Sequence, residues 1–545
     1  MVLICLGSEA NPKTNQPTKG KSVMTRHRKL LYSLVACLAS AFSGNVQAQL
    51  QDITQPGDPI VGTSNNYPGS EGVANAIDNQ PTKYLNFDRL NTGFTVTPVI
   101  GLSVVQGLSL TSANDAPERD PLTYTLEGSY DGVSFTAISS GSVPAYTARF
   151  QKKTILFDNS TPYLKYRLIF PEVAGPGGNS MQISEVELLG AQAPSDVTQP
   201  GDAIVGTSNN YPGSEGVANA IDNQPTKYLN FDRLNTGFTV TPSVGGTRVT
   251  GITLTAANDA VERDPASYTL EGSLDGTSFF PIAAGSVPAF PARFSKNYLF
   301  FPNDRAFRAY RLIFPTVVGP GGNSMQISEV ELLGVVSEVA QDVTQPGDPI
   351  VGTSNNYPGS EGVANSIDNQ PTKYLNFDRL NTGFTVTPGS GLTIVSGLTL
   401  TSANDAPERD PASYTLEGSY DGVGFTAISS GSVPAYTTRF QKNTILFANK
   451  IPYLKYRLIF PTVVGPGGNS MQISEVELLG VLAPTDVTQP GDPIVGTSNN
   501  YPGSEGVANS IDNQPTKYLN FDRLNTGFTV TPGVGDTIVM GLTLT

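Results

Sequence analysis

The chain has 545 residues with 33 Lys/Arg against 47 Asp/Glu, a formal charge of −14, and its only two cysteines and only histidine (Cys5, Cys37, His27) all lie in the first 48 residues. An acidic, thinly charged chain lacks the basic patches that nucleic acid or anionic lipid would need. Beyond residue 48, the absence of Cys, His and Trp removes disulfides, cysteine nucleophiles, Ser-His-Asp triads and conventional zinc sites.

The amino-terminal segment reads as a leader. Basic Arg26-His27-Arg28-Lys29 precedes an apolar run from Leu30 to Phe42, and Val46-Gln47-Ala48 has the small-residue pattern of a cleavage site. That order is that of a secretory signal peptide, with Met24 as a candidate start. The apolar run falls short of the roughly 20 residues a membrane-spanning helix needs. The leader holds six Lys/Arg and one Asp/Glu, so its removal takes the charge from −14 to −19. A cysteine-free exported chain suits a bacterial secreted or cell-surface protein.

The remainder is a tandem repeat. Val73-Ala74-Asn75-Ala76-Ile77-Asp78-Asn79-Gln80-Pro81-Thr82-Lys83-Tyr84-Leu85-Asn86-Phe87 recurs almost unchanged, with its aspartate at Asp78, Asp222, Asp368 and Asp512. A period near 145 residues is that of a whole domain rather than of a solenoid unit. The expected divisions are a leader (1–48), three complete copies (49–194, 195–340, 341–484) and a shortened fourth (485–545). Short linkers imply close neighbours with limited freedom.

Within each copy the signals are of strands. In the first, Val104–Thr111 is apolar, and Tyr124–Ser129 leads through the turn pair Asp131-Gly132 into a returning strand at Phe135–Ile138. Leu164–Phe170 alternates, with Leu164, Tyr166, Leu168 and Phe170 on one face and Lys165 and Arg167 on the other, and Ile183–Leu189 is the last strand. No window carries an amphipathic helix of useful length. The fold class predicted is all-β, a string of antiparallel sandwiches.

Two loops carry candidate ligand chemistry. Asn65-Asn66-Tyr67-Pro68 offers a ring to stack on a sugar, at Tyr67, Tyr211 and Tyr357, and again in the fourth copy at Tyr501; the alternative is a half-buried turn tyrosine. Asn114-Asp115-Ala116-Pro117-Glu118-Arg119-Asp120 gathers four charges in six residues, with the arginine repeated as Arg263 and Arg409. Its guanidinium could clamp a ligand through its planar fork, or pair locally with Asp115 or Asp120. The loop Gly175-Pro176-Gly177-Gly178-Asn179-Ser180 lacks the Gly-Lys-Ser/Thr ending of a phosphate loop.

The order Asn-Ala-Ile-Asp-Asn, Tyr-Thr-Leu-Glu-Gly-Ser-Tyr-Asp-Gly, Tyr-Arg-Leu-Ile-Phe, Ile-Ser-Glu-Val-Glu-Leu-Leu-Gly resembles the discoidin, or coagulation-factor type C, superfamily, which includes many bacterial carbohydrate-binding modules. The resemblance implies an eight-stranded jelly roll of the galactose-binding type in each copy. It also implies a structural Ca²⁺ per complete copy, held by Asp78, Thr82 and Glu185, by Asp222, Thr226 and Glu329, and by Asp368, Thr372 and Glu475, with backbone carbonyls. The threonine here follows the aspartate by four residues where such loops often have five, and Tyr84 stands where they usually have Trp. By the same resemblance Tyr84 and Phe87 are core aromatics. Without the metal, Asp78 is the head of an Asx-type turn.

The expected function is that of an exported, non-catalytic, multivalent binding or adhesion protein for a glycan or other cell-surface polymer, since linked weak sites gain avidity. The alternatives are a structural spacer of the cell surface or matrix, and targeting modules of an enzyme whose catalytic domain is not in the chain. The shortened fourth copy, without its later strands, is expected to leave apolar faces open to self-association.

Overall fold

A computed structural model describes residues 50–534 together with Val539, Leu542 and Leu544. The leader lies outside the described residues, as does most of the final strand expected at Val539–Thr545. Among the described residues the secondary structure is β-strand and short 3-10 turns, and no helix is long and apolar enough to cross a membrane.

The unit Gln51–Asp486 holds three sandwiches of the same build. In the first, the strands are β1 Gln51–Asp52, β2 Ile60–Gly62, β3 Tyr84–Asn86, β4 Thr92–Val96, β5 Ser103–Thr111, β6 Thr123–Ser129, β7 Thr136–Ser142, β8 Lys152–Leu156, β9 Lys165–Phe170, β10 Met181–Ile183 and β11 Glu185–Gln192. They form a five-stranded sheet, β2-β4-β9-β6-β7, over a four-stranded sheet, β1-β11-β5-β8, with β3 and β10 paired as a short ribbon. All pairings are antiparallel. The chain passes repeatedly between the sheets, from β4 to β5, β5 to β6, β7 to β8 and β8 to β9, so each half of the sequence supplies strands to both layers.

Alternation decides which side chains meet between the layers. On β9, Tyr166, Leu168 and Phe170 are buried and Lys165, Arg167 and Ile169 are not. They pack with Phe94 of β4, Leu108 and Leu110 of β5, and Val186 and Leu188 of β11 in a cluster confined to the first copy. The second and third copies have their own clusters on the same plan.

The expected hairpin forms at Asp131-Gly132. Gly132 takes φ +80°, and the Asp131 carboxylate accepts from the Val133 and Ser134 amides at 2.7 and 2.8 Å. Those bonds hold its pKa down to about 2. The last strand differs from the expectation: Ser184 breaks it into β10 and β11, and its hydroxyl donates to the Thr82 carbonyl at 2.7 Å. Phe87 is also a correction. Tyr84 is fully buried, but Phe87 is 47 % exposed, because β3 ends at Asn86 and the chain turns outward there.

The other unit, which includes Val487–Thr545, keeps one hairpin, Ile494–Gly496 against Phe528–Val530. Phe528 is 43 % exposed there, whereas its counterpart Phe94 is 1 % exposed. The described part of this copy has no second layer to cover it.

Candidate functional site

In each complete sandwich, hydrogen bonds tie four loops together around Arg119 or its counterpart. The Phe87 amide donates to the Asn66 carbonyl at 2.9 Å, and Asn66 Nδ2 to Asp88 at 2.6 Å. Lys83 Nζ lies 3.5 Å from Glu71 and 3.0 Å from Asp115. Arg89, at φ +68°, donates to the Gly175 and Pro176 carbonyls at 3.2 and 3.3 Å, and the Gly175 amide donates to the Glu118 carbonyl at 2.9 Å. Gly175 and Gly178 are needed for this approach, since a Cβ at either would sit within 2.6 Å of Glu118.

The charged loop does not neutralise itself. Asp115 pairs with Lys83. Asp120, 3 % exposed, takes a two-pronged contact from Arg149, whose Nη1 donates at 2.9 Å and whose Nη2 reaches the other oxygen. Burial raises the Asp120 pKa and Arg149 opposes that rise. Both carboxylates proposed as local partners of Arg119 are therefore held by other cations. The Arg119 side chain is half-buried with no hydrogen bond or close ion pair among the described residues, and its Nε is buried without one; the same holds for Arg263 and Arg409. In the third copy Arg409 acts at longer range on Asp405, whose carboxyl pKa is raised by desolvation and brought below its ordinary value by Lys373 and Arg409 together. A half-buried guanidinium with its hydrogen-bond donors unspent is equipped to receive acceptors from outside.

Tyr67 is half-buried. Its ring meets the edge of Tyr84 at 6.2 Å and 77°, and a Cβ at Gly72 would come within 3.2 Å of it. Tyr211 and Tyr357 are seated in the same way. The aromatic that faces solvent on the joined loops is instead Phe87, with Phe231 and Phe377 each 46 % exposed. The sequence carried a signal for this: Asn-Phe-Asp-Arg-Leu-Asn is a run of turn formers around one ring, and Arg89 and Asn91 both take left-handed φ.

The Asp78 loop adjoins this cluster through Thr82-Lys83. Asp78 follows the turn Val73–Ile77. Its Oδ1 accepts from the Gln80 amide at 2.9 Å and its Oδ2 from the Thr82 hydroxyl at 2.6 Å, so the Asx-type turn is present. Glu185, 8 % exposed, accepts from the Asn79 amide at 3.0 Å. Burial and then the nearby Asp78 push its pKa up to about 8. The second and third copies repeat every bond, between Asp222, Thr226 and Glu329 and between Asp368, Thr372 and Glu475. Two carboxylates thus face each other with no ion-pair partner for either among the described residues. No group of three Asp, Glu, His or Cys side chains gathers among them. Two carboxylates, a hydroxyl and backbone carbonyls are oxygen donors only, a set that fits Ca²⁺.

No family model and no curated protein matches the chain. Among solved structures it is similar to a fucolectin from striped bass (Morone saxatilis) serum, at 17 % identity over 53 % of this chain and 100 % of that one, with a TM-score of 0.27. It is similar to a family 32 carbohydrate-binding module from Clostridium perfringens in complex with GalNAc-β-1,3-galactose, at 24 % identity over 26 % of this chain and 99 % of that one, TM-score 0.22. Another family 32 module from the same organism, in complex with galactose, aligns at 16 % identity over 26 % and 99 %, TM-score 0.23.

Proposed function

We propose that the protein binds glycans through equivalent sites, one on the joined loops of each complete sandwich, and does so without catalysis. The observation that carries this reading is the guanidinium of Arg119, without a hydrogen bond or close ion pair and repeated at Arg263 and Arg409, on loops that also present an exposed phenylalanine. Arginine donors suit sugar hydroxyls, ring oxygens or carboxylates, and an exposed ring suits the apolar face of a pyranose. A Ca²⁺ ion held by Asp78, Thr82 and Glu185 and by their counterparts would relieve the repulsion between the two carboxylates and brace the loop that leads into Lys83. Export through the leader completes the reading, with a cell surface or secreted polymer as the place of action.

The test is a glycan array probed with the full chain and with the triple variant Arg119→Ala, Arg263→Ala, Arg409→Ala, with galactose- and GalNAc-terminated glycans among the probes. The expected result is binding that the triple variant loses by roughly tenfold or more, the scale of a lost charge-assisted hydrogen bond of about 1.5–3 kcal/mol, while its thermal midpoint stays unchanged. Equal binding by the two proteins would reject these arginines as the site.

A further inference from the structure

The loop that supplies Arg149 carries a second exposed ring. Phe150, Phe294 and Phe440 are 46, 45 and 46 % exposed, and none of them joins the buried cluster of its sandwich. They sit at left-handed φ angles of +55°, +60° and +57°, where a bulky side chain is strained and glycine or asparagine is favoured. Neither burial nor backbone geometry accounts for a phenylalanine at this position.

Differences between the copies sharpen the point. In the first, Gln151 Oε1 accepts from the Thr147 amide at 2.7 Å, and Ser112 Oγ accepts from the Gln151 amide at 3.0 Å. The second has Pro291, Ser295 and Ala256 where the first has Thr147, Gln151 and Ser112. Its loop is held instead by Ser295 Oγ, which donates to the Ala292 carbonyl at 2.7 Å, and by the Phe294 amide, which donates to the Ala256 carbonyl at 3.2 Å. The supports change, yet the Arg-Phe pair keeps its backbone conformation and its exposure. The arginines are explained by their grip on Asp120, Asp264 and Asp410. That grip does not explain the rings.

Sheet order places the ring relative to Arg119. Along β4-β9-β6-β7, antiparallel pairing brings four connections to one end. They are the turn into β4, with Phe87; the loop out of β9, with Gly175; the loop into β6, with Arg119; and the loop out of β7, with Phe150. Arg119 therefore lies between the two rings. Its loop is tied to the Phe87 side through Gly175 and Arg89, and to the Phe150 side through the Arg149–Asp120 clasp. Three strand spacings, about 14 Å, separate β4 from β7, which is more than a single pyranose ring covers.

We propose that Phe150, Phe294 and Phe440 are stacking residues of a second subsite, so that each complete sandwich takes at least two sugars of a glycan chain, one against Phe87 or its counterpart and one against Phe150 or its counterpart, with the arginine between them. This rests on the glycan reading above and adds to it a selectivity for chain length, where a single ring and arginine would select a terminal sugar alone.

The test compares the full chain with its triple variant Phe150→Ala, Phe294→Ala, Phe440→Ala on arrayed galactose- and GalNAc-terminated glycans of one, two and three sugars. The wild type should bind the longer glycans more strongly than the monosaccharides by roughly two- to tenfold, the scale of one aromatic contact. The phenylalanine variant should lose that ratio. Should it melt below the wild type, Phe→Gly at the same three positions replaces it, since glycine meets the left-handed φ without strain. A variant that keeps the wild-type ratio, whether or not it binds more weakly at every length, overturns the second subsite. So does a wild type that binds all lengths equally. Either result leaves the glycan reading standing, because binding itself is still seen. A wild type that binds none of the probes overturns that reading and the subsite with it.

Discussion

Arg119 and Asp120 are neighbours with opposite fates. Asp120 is buried and clasped by Arg149, which fixes the loop. Arg119 is left over, and nothing in its local sequence distinguishes the two outcomes. Arg149 is 29 residues beyond Asp120, so only the fold could show which arginine the aspartate would choose. The same limit applies to Asp78. Its Asx turn was legible from residue types alone, but its confrontation with Glu185, 107 residues on, rested on a family resemblance until β11 brought the two together. The structure makes the calcium proposal specific. A full-chain melt should shift upward in Ca²⁺ relative to chelator, by an amount equivalent to about 2.7 kcal/mol at a hundredfold excess over Kd. Asp78→Asn with Asp222→Asn and Asp368→Asn should remove most of that shift. Identical melts of the wild type in Ca²⁺ and in chelator would refute the site.

A second residue-scale prediction concerns pH. Burial raises the pKa of Asp52, and takes Asp196 and Asp342 to about 6, from an ordinary value of 3.8. Well below the unfolded value, at about pH 3 and under, these groups are protonated both folded and unfolded, and their ionisation does not affect stability. Between about pH 4 and 6 the unfolded chain releases its protons first, so these aspartates lower stability as pH rises. Asparagine keeps the Oδ1 that accepts from the Thr198 and Thr344 amides at 2.9 Å. The triple variant Asp52→Asn, Asp196→Asn, Asp342→Asn should therefore gain on the wild type in urea unfolding at pH 7, and the gain should shrink towards zero at about pH 3. An advantage of the same size at both pH values would show that ionisation is not the cause.

At the scale of elements, strands were the most legible part of the sequence, because alternation reports directly on which face is buried. The outward Arg167 of β9 pairs with Glu127 across the sheet at 2.6 Å and covers the Phe135 ring at 4.0 Å, as an outward charge on a central strand should. The short strands were harder. β3 and β10 are three residues each, too few to show a period, so the core placement of Phe87 rested on the family resemblance alone. The contacts between sandwiches, where Arg305 of the second donates to the Ser396 and Phe447 carbonyls of the third at 3.0 and 3.1 Å, were illegible for another reason: they depend on differences between copies set against a uniform background. Arg305 stands where the first and third copies have Thr161 and Ile451, and burial lowers its pKa. Arg305→Met should leave the Ser396 and Phe447 carbonyls without these donors and cost about 1–3 kcal/mol. That corresponds to a fall in the melting midpoint of the affected unit of roughly 2–4 °C per kcal/mol. Replacing Thr161 with Met should have little effect.

At the scale of the whole molecule, the three complete sandwiches carry the same loops. Repetition of a weak site gains affinity only where several sites engage one surface, and that gain reaches about 10²–10⁴ for linked modules. An enzyme built from copies would gain in proportion to its number of sites and no more. The most direct test is binding of the full chain to a dense glycan surface, using a ligand first identified on the array, with none, one, two or all three of Arg119, Arg263 and Arg409 replaced by alanine. The account predicts that apparent affinity falls steeply with each replacement, by more than the lost share of sites, and that binding vanishes with the third. Unchanged affinity across the series would contradict it, as would a fall merely in proportion to the sites removed.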